Sequence, residues 1–136
     1  MKILECVPNF SEGRSPKKVR EITAAAAAVP GLSILDYSWD TDHHRSVVTF
    51  LGAPEDVYEA ALAAGGKALE IIDLRGHDGV HPRIGAVDVV PFIPLAETQM
   101  VEAVYWAHRF GRTFAERHGV PVFFYGDAAV NPDRRQ

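Results

Sequence analysis

The order of the predicted strands and helices along this 136-residue chain indicates an α+β domain built on one antiparallel sheet. Short apolar segments rich in β-branched residues, typical of strands, alternate with longer segments whose apolar residues recur at helical spacing. Proline and glycine stand at the boundaries between these segments. The resulting order, β-α-β-β-α-β followed by α-β, is that of the ferredoxin-like split βαβ sandwich with a helix and a strand appended at the C-terminus.

The first four elements are predicted from local signals. The apolar residues 2–7 (KILECV) predict a strand, and Ser15-Pro16 predicts the start of a helix, with serine as N-cap and proline at the first helical position. Residues 32–37 and 46–52 predict the second and third strands. The inward face of the first helix is predicted from helical spacing to contain Val19, Ile22, Ala26 and Val29.

The second half of the chain repeats the alternation. A helix is predicted from Pro54 to about residue 73, and residues 84–93 predict a fourth strand that Pro91 restricts to an edge or an end. Thr98 is predicted to cap a third helix that ends at Gly119, and residues 120–125 predict the last strand. The predicted inward residues of these two helices are Val57, Ala61, Leu62, Leu69, Ile72, Val101, Val104, Phe110 and Phe114.

Length, charge and cysteine content limit the class of protein. A chain of this length fits a single domain over residues 1–136, and a net charge of −4 argues against a nucleic-acid or membrane-surface role. Cys6 is the single cysteine, so neither an intrachain disulfide nor a cysteine-rich zinc site is expected. The N-terminus lacks the features of a signal peptide and no apolar segment reaches membrane-spanning length, so a cytoplasmic protein is expected.

The predicted topology brings three polar segments to one end of the sheet. With strand order 4-1-3-2, the connections 8–15, 38–45 and 74–83 share that end, and they contain PNFSEGRS, SWDTDHHR and LRGHDGVHPR. Loops on a rigid scaffold often carry function, so we interpret the three segments as one site.

The segment 75–83 (RGHDGVHPR) allows three interpretations. His77 and His81 have the spacing of a helical metal pair, with His43, His44, Asp42 or Asp78 as further ligands, but Gly79 and Pro82 disfavour the helix that such a pair requires. His81 alternatively serves as an acid–base group near Arg83, because histidine titrates nearest neutrality. The third interpretation is a surface histidine bonded to a backbone carbonyl.

Other polar residues of the three loops also have two interpretations. Asn9, Ser11 and Glu12 either bind substrate or form a turn that leads into the first helix, and Asp40 either pairs with a cation or belongs to a hairpin turn. Trp39 stacks on a flat ligand or covers the core. Asp88, within an apolar strand, needs a partner, for which Arg83 and Arg45 are the candidates.

Several of these segments together resemble the N-terminal half of glutamate formimidoyltransferases, including the formiminotransferase region of formiminotransferase–cyclodeaminase. The similarity runs over nearly the whole chain in five segments: VPNFSEG (7–13), ILDYS (34–38), DHHRSVVTF (42–50), HPRIGAVDVVPFIP (81–94) and VPVFFYG (120–126).

The resemblance implies transfer of a formimino group from N-formimino-L-glutamate to N5 of tetrahydrofolate, the co-substrate, in histidine degradation and without a metal. It implies a pair of ferredoxin-like subdomains with folate between them, and it places the catalytic histidine at His81. Asn9, Ser11, Glu12, Asp40, His44, Arg45 and Arg83 are then the expected substrate- and folate-binding residues.

The chain also departs from this family. His44 stands where members usually have asparagine, Val80 where they usually have glutamate, and the sequence ends where members continue into the second subdomain. We therefore expect a second subdomain or a homodimer partner to complete the site. The alternatives are a non-catalytic folate- or anion-binding regulatory relative and a self-associating structural module.

Overall fold

A computed structural model of the chain describes residues 1–72, 85–122 and 124, and it confirms an α+β fold with an antiparallel sheet. The strands are β1 (Leu4–Cys6), β2 (Asn9–Phe10), β3 (Ser33–Asp40), β4 (Arg45–Gly52), β5 (Val87–Val89) and β6 (Phe92–Pro94). The helices are α1 (Pro16–Ala27), α2 (Pro54–Ile71) and α3 (Met100–His118).

Within the part of the chain that the structure describes, six strands form four rows, because two of the rows consist of two consecutive short strands each. β1 and β2 both pair antiparallel with β4, and β6 and β5 pair antiparallel with β1 and β2 respectively, while β3 pairs with the opposite side of β4. The rows therefore follow the predicted order 4-1-3-2. Pro91 lies between β5 and β6 in an outer row of the described sheet, because a proline has no N–H to donate to a ladder.

The core lies between one face of the sheet and the helices. Alternate residues of β1, β2 and β4 are fully buried, as the two-residue period of a strand requires, and these are Leu4, Cys6, Phe10, Val48 and Phe50. Helices α1 and α2 pack against this face and against each other, and α3 packs beside α2 and along β6. Val19, Ile22 and Ala26 of α1 are buried as predicted.

Local chemistry explains both helix starts in the first half of the chain. Ser15 is the N-cap of α1, and its hydroxyl accepts a hydrogen bond from the N–H of Lys18 at 3.3 Å. Proline occupies the first helical position of both α1 and α2, where its fixed φ suits a helix and its missing N–H is not needed.

The sequence prediction was wrong in two details of α3. The N-cap is Gln99, because its backbone N–H donates to the Glu102 carboxylate at 2.8 Å, while the Thr98 hydroxyl donates to the carbonyl of Ile3 at 2.9 Å. Val101 is 69% exposed and not inward, because the buried face of α3 is set by Ala103, Phe110 and Phe114. Of the predicted last strand, residues 120–122 and 124 are described and lie outside the sheet.

Two adjacent glycines of α2 are expected to respond oppositely to alanine. A Cβ on Gly65 would lie 2.6 Å from Cε1 of the buried Phe114, whereas a Cβ on Gly66 would make ordinary 3.6 Å contacts with the His118 ring. Gly66→Ala should raise the free energy of unfolding by about 0.5–1 kcal/mol through helix propensity. Gly65→Ala should lower it by about 1–2 kcal/mol through overpacking. Urea unfolding of both variants measures the two changes in the free energy of unfolding. Equal changes in the two variants would contradict this prediction.

Candidate functional site

The amino-terminal loop and the β3–β4 hairpin meet at one end of the sheet, as the topology predicts. Gly13 lies so close to the hairpin that a Cβ there would overlap the backbone nitrogen of Arg45 and the carbonyl oxygen of Asp40, and would lie 2.7 Å from the Arg45 carbonyl oxygen. A glycine is therefore required at this position, because every other residue adds an atom between the two backbones.

The third predicted loop, 74–83, lies outside the described residues, and so do His77, His81 and Arg83. Its neighbour in sequence is described, and it belongs to the same end of the sheet. The Ser11 hydroxyl donates to the Gly85 carbonyl oxygen at 2.5 Å, and the Ser11 N–H donates to the Ala86 carbonyl oxygen at 3.0 Å. Gly85 has a φ of 96°, a conformation that glycine adopts readily. Ser11 thus bonds to the backbone that leads from the third loop into β5.

The loop of the β3–β4 hairpin is shorter than predicted, and this places Asp40 and Arg45 in the strands. β3 extends to Asp40 and β4 begins at Arg45, so these two residues are cross-strand partners and the loop between them has four residues. His44 ends that loop with a φ of 50°, in the left-handed region where histidine is one of the better tolerated side chains. Asp40 is therefore a strand-end residue and not part of the turn.

The Asp40 carboxylate is held by three hydrogen bonds from the loop that follows it. Oδ1 accepts from the N–H of Asp42 at 3.0 Å and of His43 at 3.3 Å, and Oδ2 lies 2.6 Å from His43 Nδ1. The hydrogen bond from the His43 side chain, followed by the bond from the His43 backbone N–H, lowers the pKa of Asp40 from its ordinary value. Asp40 therefore carries a negative charge at neutral pH.

Glu12 is a buried carboxylate whose oxygens are engaged within the protein. Oε2 accepts from the N–H of Arg14 at 3.0 Å and of Ser15 at 2.9 Å, and it lies 3.5 Å from Nε2 of His44. Oε1 lies 3.8 Å from Nζ of Lys18. These contacts join the amino-terminal loop, the start of α1 and the hairpin, so the geometry favours the turn interpretation of Glu12 over direct substrate contact.

Glu12→Ala is expected to destabilise the protein by about 1–3 kcal/mol, because the partly buried hydrogen bonds from the N–H groups of Arg14 and Ser15 would lose their charged acceptor. Urea unfolding measures the effect, with Glu21→Ala, a partly buried glutamate within α1, as the matched control. An effect below 0.5 kcal/mol, on the order of an average surface substitution, would contradict the assignment.

Arg45 pairs with Asp88 across the sheet, as one of the two sequence alternatives predicts. Nη2 of Arg45 lies 3.3 Å from Oδ2 of Asp88, and both side chains remain about half exposed. Among the described residues this is the one ion pair of Arg45, and one such contact occupies a minority of the guanidinium donors. Asn9, between them in β2, donates from its side-chain amide to the Val7 carbonyl oxygen at 3.0 Å.

An open depression of about 400 Å3 lies on the hairpin end of the sheet. Trp39 borders this depression and is 39% exposed. It stacks on Tyr37 with ring centroids 6.4 Å apart, so it does not cover the core. The depression is lined by Ser38, Trp39, Asp40, His43, Arg45 and Val47. It combines an indole ring, the Asp40–His43 carboxylate–imidazole pair and the guanidinium of Arg45, a mixture that suits a polar ligand with charges of both signs.

The contact of His43 with Asp40 was not predicted from the sequence, which indicated His43 only as a possible metal ligand. Its signal was the Asp-x-x-His spacing at a hairpin, because an aspartate before a turn accepts bonds from the residues that follow it. Within residues 1–72, 85–122 and 124, no group of three or more His, Cys, Asp or Glu side chains is arranged to hold a metal ion. In the same part of the chain, no helix has the length and apolar character needed to cross a membrane.

Comparison with known proteins identifies the family. Residues 3–136 match the model of the formiminotransferase domain, N-terminal subdomain. The chain is 46% identical over 134 residues to glutamate formimidoyltransferase of Thermoplasma acidophilum, covering 98% of this chain and 44% of that protein. It is also 46% identical over 134 residues to formimidoyltransferase-cyclodeaminase of Gallus gallus, covering 98% of this chain and 25% of that protein.

More distant similarity extends to a plant protein. The chain is 30% identical over 128 residues to the formiminotransferase cyclodeaminase-like protein of Arabidopsis thaliana, covering 90% of this chain and 43% of that protein. In each of these three cases the chain spans less than half of its relative. The family match nevertheless covers almost every residue of this sequence, and the chain therefore belongs to the N-terminal subdomain family of the formiminotransferase domain.

Proposed function

We propose that this chain forms one part of a site that transfers a formimidoyl group from N-formimino-L-glutamate to N5 of tetrahydrofolate, a reaction of histidine degradation. Family membership supports the proposal, together with the names of relatives that are 46% identical. Tetrahydrofolate is the co-substrate, and the scheme needs no metal. Because the chain spans less than half of those relatives, a second subdomain or a homodimer partner would supply the remaining contacts.

The contact between the amino-terminal loop and the hairpin is the observation that carries this proposal. Gly13 touches the hairpin backbone, and Ser11 bonds to Gly85, which follows the segment that contains His81. Polar residues that are far apart in sequence therefore belong to one end of the sheet. A transfer between two bound molecules depends on such convergence, because both must be held in register with the acid–base group.

The chemistry requires two proton movements, and we assign them to His81. N5 attacks the amidine carbon, and a tetrahedral adduct forms as the carbon–nitrogen π pair moves onto the amidine nitrogen. N5 then loses a proton. The lone pair of the terminal nitrogen re-forms the carbon–nitrogen double bond as the bond to the glutamate nitrogen breaks, and the departing glutamate nitrogen gains a proton. One imidazole can accept the first proton and return it in the second step, and such catalysis contributes about 10²–10⁴-fold in rate.

The remaining candidate residues have electrostatic roles in this scheme. The amidine is cationic when protonated, so the ionised Asp40 would stabilise it, and Arg45 with Arg83 would bind the carboxylates of the two substrates. Asn9 and Ser11 would border the folate side of the site. His44 would act indirectly, because its contact with Glu12 links the hairpin to the amino-terminal loop.

A reconstituted transfer assay tests the function. The chain is combined with a polypeptide covering the portion of the Thermoplasma acidophilum relative that the chain does not match, and both substrates are added. We expect 5-formiminotetrahydrofolate by mass spectrometry when both polypeptides are present, and none when either is omitted. Binding of both substrates by the mixture without product would contradict the transferase and favour a folate- or anion-binding relative.

A further inference from the structure

His43 and Asp40 form a side-chain pair at the edge of the depression, and the family resemblance assigns no role to His43. Their contact is 2.6 Å between Nδ1 of His43 and Oδ2 of Asp40. An ionised carboxylate can only accept hydrogen bonds, so the proton of this contact belongs to Nδ1. In the neutral imidazole the lone pair is therefore on Nε2, on the opposite edge of the ring.

The pair is bonded to the hairpin backbone through Asp40 and is exposed to solvent at His43. Two backbone N–H groups position the Asp40 carboxylate. The carboxylate in turn orients the imidazole ring through its contact with Nδ1. The His43 side chain is 78% exposed and lines the depression, which leaves Nε2 accessible to a ligand. An acceptor nitrogen with a carboxylate behind it favours a cationic N–H donor over a neutral or anionic group.

The depression also contains the complementary charge. Arg45 lines it with a half-exposed guanidinium that has a single described ion-pair contact, to Asp88. The site therefore offers an anion-binding group and a cation-binding group within one depression of about 400 Å3. Such an arrangement suits a small zwitterionic ligand with a carboxylate and a protonated amidine.

We propose that His43, oriented by Asp40, is a substrate-contacting residue whose Nε2 accepts a hydrogen bond from the terminal amidinium NH2 group of the formimino donor. This inference rests on the proposed function, which supplies the donor, and it adds a specificity-determining residue to that site. The amidinium would lie against His43 while Arg45 binds a carboxylate of the same molecule.

The test compares two ligands that differ at the atom His43 is proposed to contact. N-formimino-L-glutamate has the amidinium NH2 group, whereas N-formyl-L-glutamate has a carbonyl oxygen in its place, and both have the same carboxylates. Calorimetric titration of the 136-residue chain should show a preference for the formimino compound on the order of ten- to a hundredfold, the range of one hydrogen bond to a charged group.

Four variants test whether the preference for the formimino compound depends on His43 and Asp40. His43→Ala should remove the preference, so that both ligands bind as the formyl compound does, and His43→Gln should restore part of it through the amide oxygen. Asp40→Asn should reduce the preference, because its amide oxygen still accepts the backbone bonds but the charge is gone. Asp42→Asn, which removes an exposed neighbouring carboxylate, is the matched control and should keep the full preference.

The outcomes separate this inference from the proposed function. An unchanged preference in His43→Ala, equal binding of the two ligands by the native chain, or binding of neither would overturn the role of His43. A purely structural role for His43 would lower the urea midpoint and leave the ligand preference intact, which also overturns it. If the reconstituted assay shows transfer but the chain shows no such ligand preference, only the His43 inference is contradicted. If the chain shows a His43-dependent preference but no transfer occurs, only the proposed transferase function is contradicted.

Discussion

Replacement of His81 by alanine is expected to lower the rate of formimidoyl transfer by about 10²–10⁴-fold in the reconstituted assay, because no other group in the scheme moves the two protons. The binding of tetrahydrofolate should change less than threefold, since the imidazole acts on the reacting atoms and not on the carboxylates that anchor the ligand. Both quantities are measurable on one preparation, the rate by product formation and the affinity by calorimetric titration.

His77→Ala provides the matched control, because His77 is the other histidine of the same loop. If His81 alone is the acid–base group, His77→Ala should keep a rate within about threefold of the native protein. Equal and severe losses in the two variants would instead favour the metal-pair interpretation of this segment, and they should then be accompanied by inhibition with a chelator. Full activity in His81→Ala would refute its assignment as the acid–base group.

The second large effect concerns Gly13, where alanine is expected to lower the free energy of unfolding by about 3 kcal/mol or more. Its Cβ would overlap backbone atoms of Asp40 and Arg45, and backbone atoms in a paired hairpin cannot rotate away as a side chain can. The cost therefore includes separation of the amino-terminal loop from the hairpin. Urea unfolding followed by far-ultraviolet circular dichroism measures the change.

Gly66→Ala is the control for this prediction, since the same chemical change there makes only ordinary 3.6 Å contacts with the His118 ring and lies within a helix. The two variants should differ by roughly 3.5–4 kcal/mol, the sum of the two expected changes. A stable Gly13→Ala variant that keeps the formimino preference would mean that the two loops need no close backbone contact. In that case the convergence that carries the proposed function would lose its main support.

The sequence predicted the elements well where the signal is local. Pro16 and Pro54 mark the helix starts, and Val19, Ile22 and Ala26 define the buried stripe of α1. Pro91 marks the interruption of the fourth strand, and β4 follows from its β-branched residues. Backbone restriction by proline and the periodicity of apolar side chains act within a few residues, so they can be read from the chain itself.

The predictions were less accurate where a distant contact decides the outcome. Nothing near Val101 in sequence indicates that α3 turns this residue to solvent, because the packing of Phe110 and Phe114 against other elements sets the face. β3 continues to Asp40 because β4 offers it a cross-strand partner at Arg45. The sequence alone favoured a longer loop at this point.

For the candidate site, the residue types and their order determined the polar end of the sheet, the family and the candidate acid–base group, His81. The tertiary structure alone decided what the individual side chains contact: Glu12 is engaged at the start of α1, Arg45 pairs with Asp88, and Asp40 holds His43. The physical reason is that a hydrogen bond depends on tenths of an ångström and on direction. Those quantities are fixed only when separate segments pack against one another.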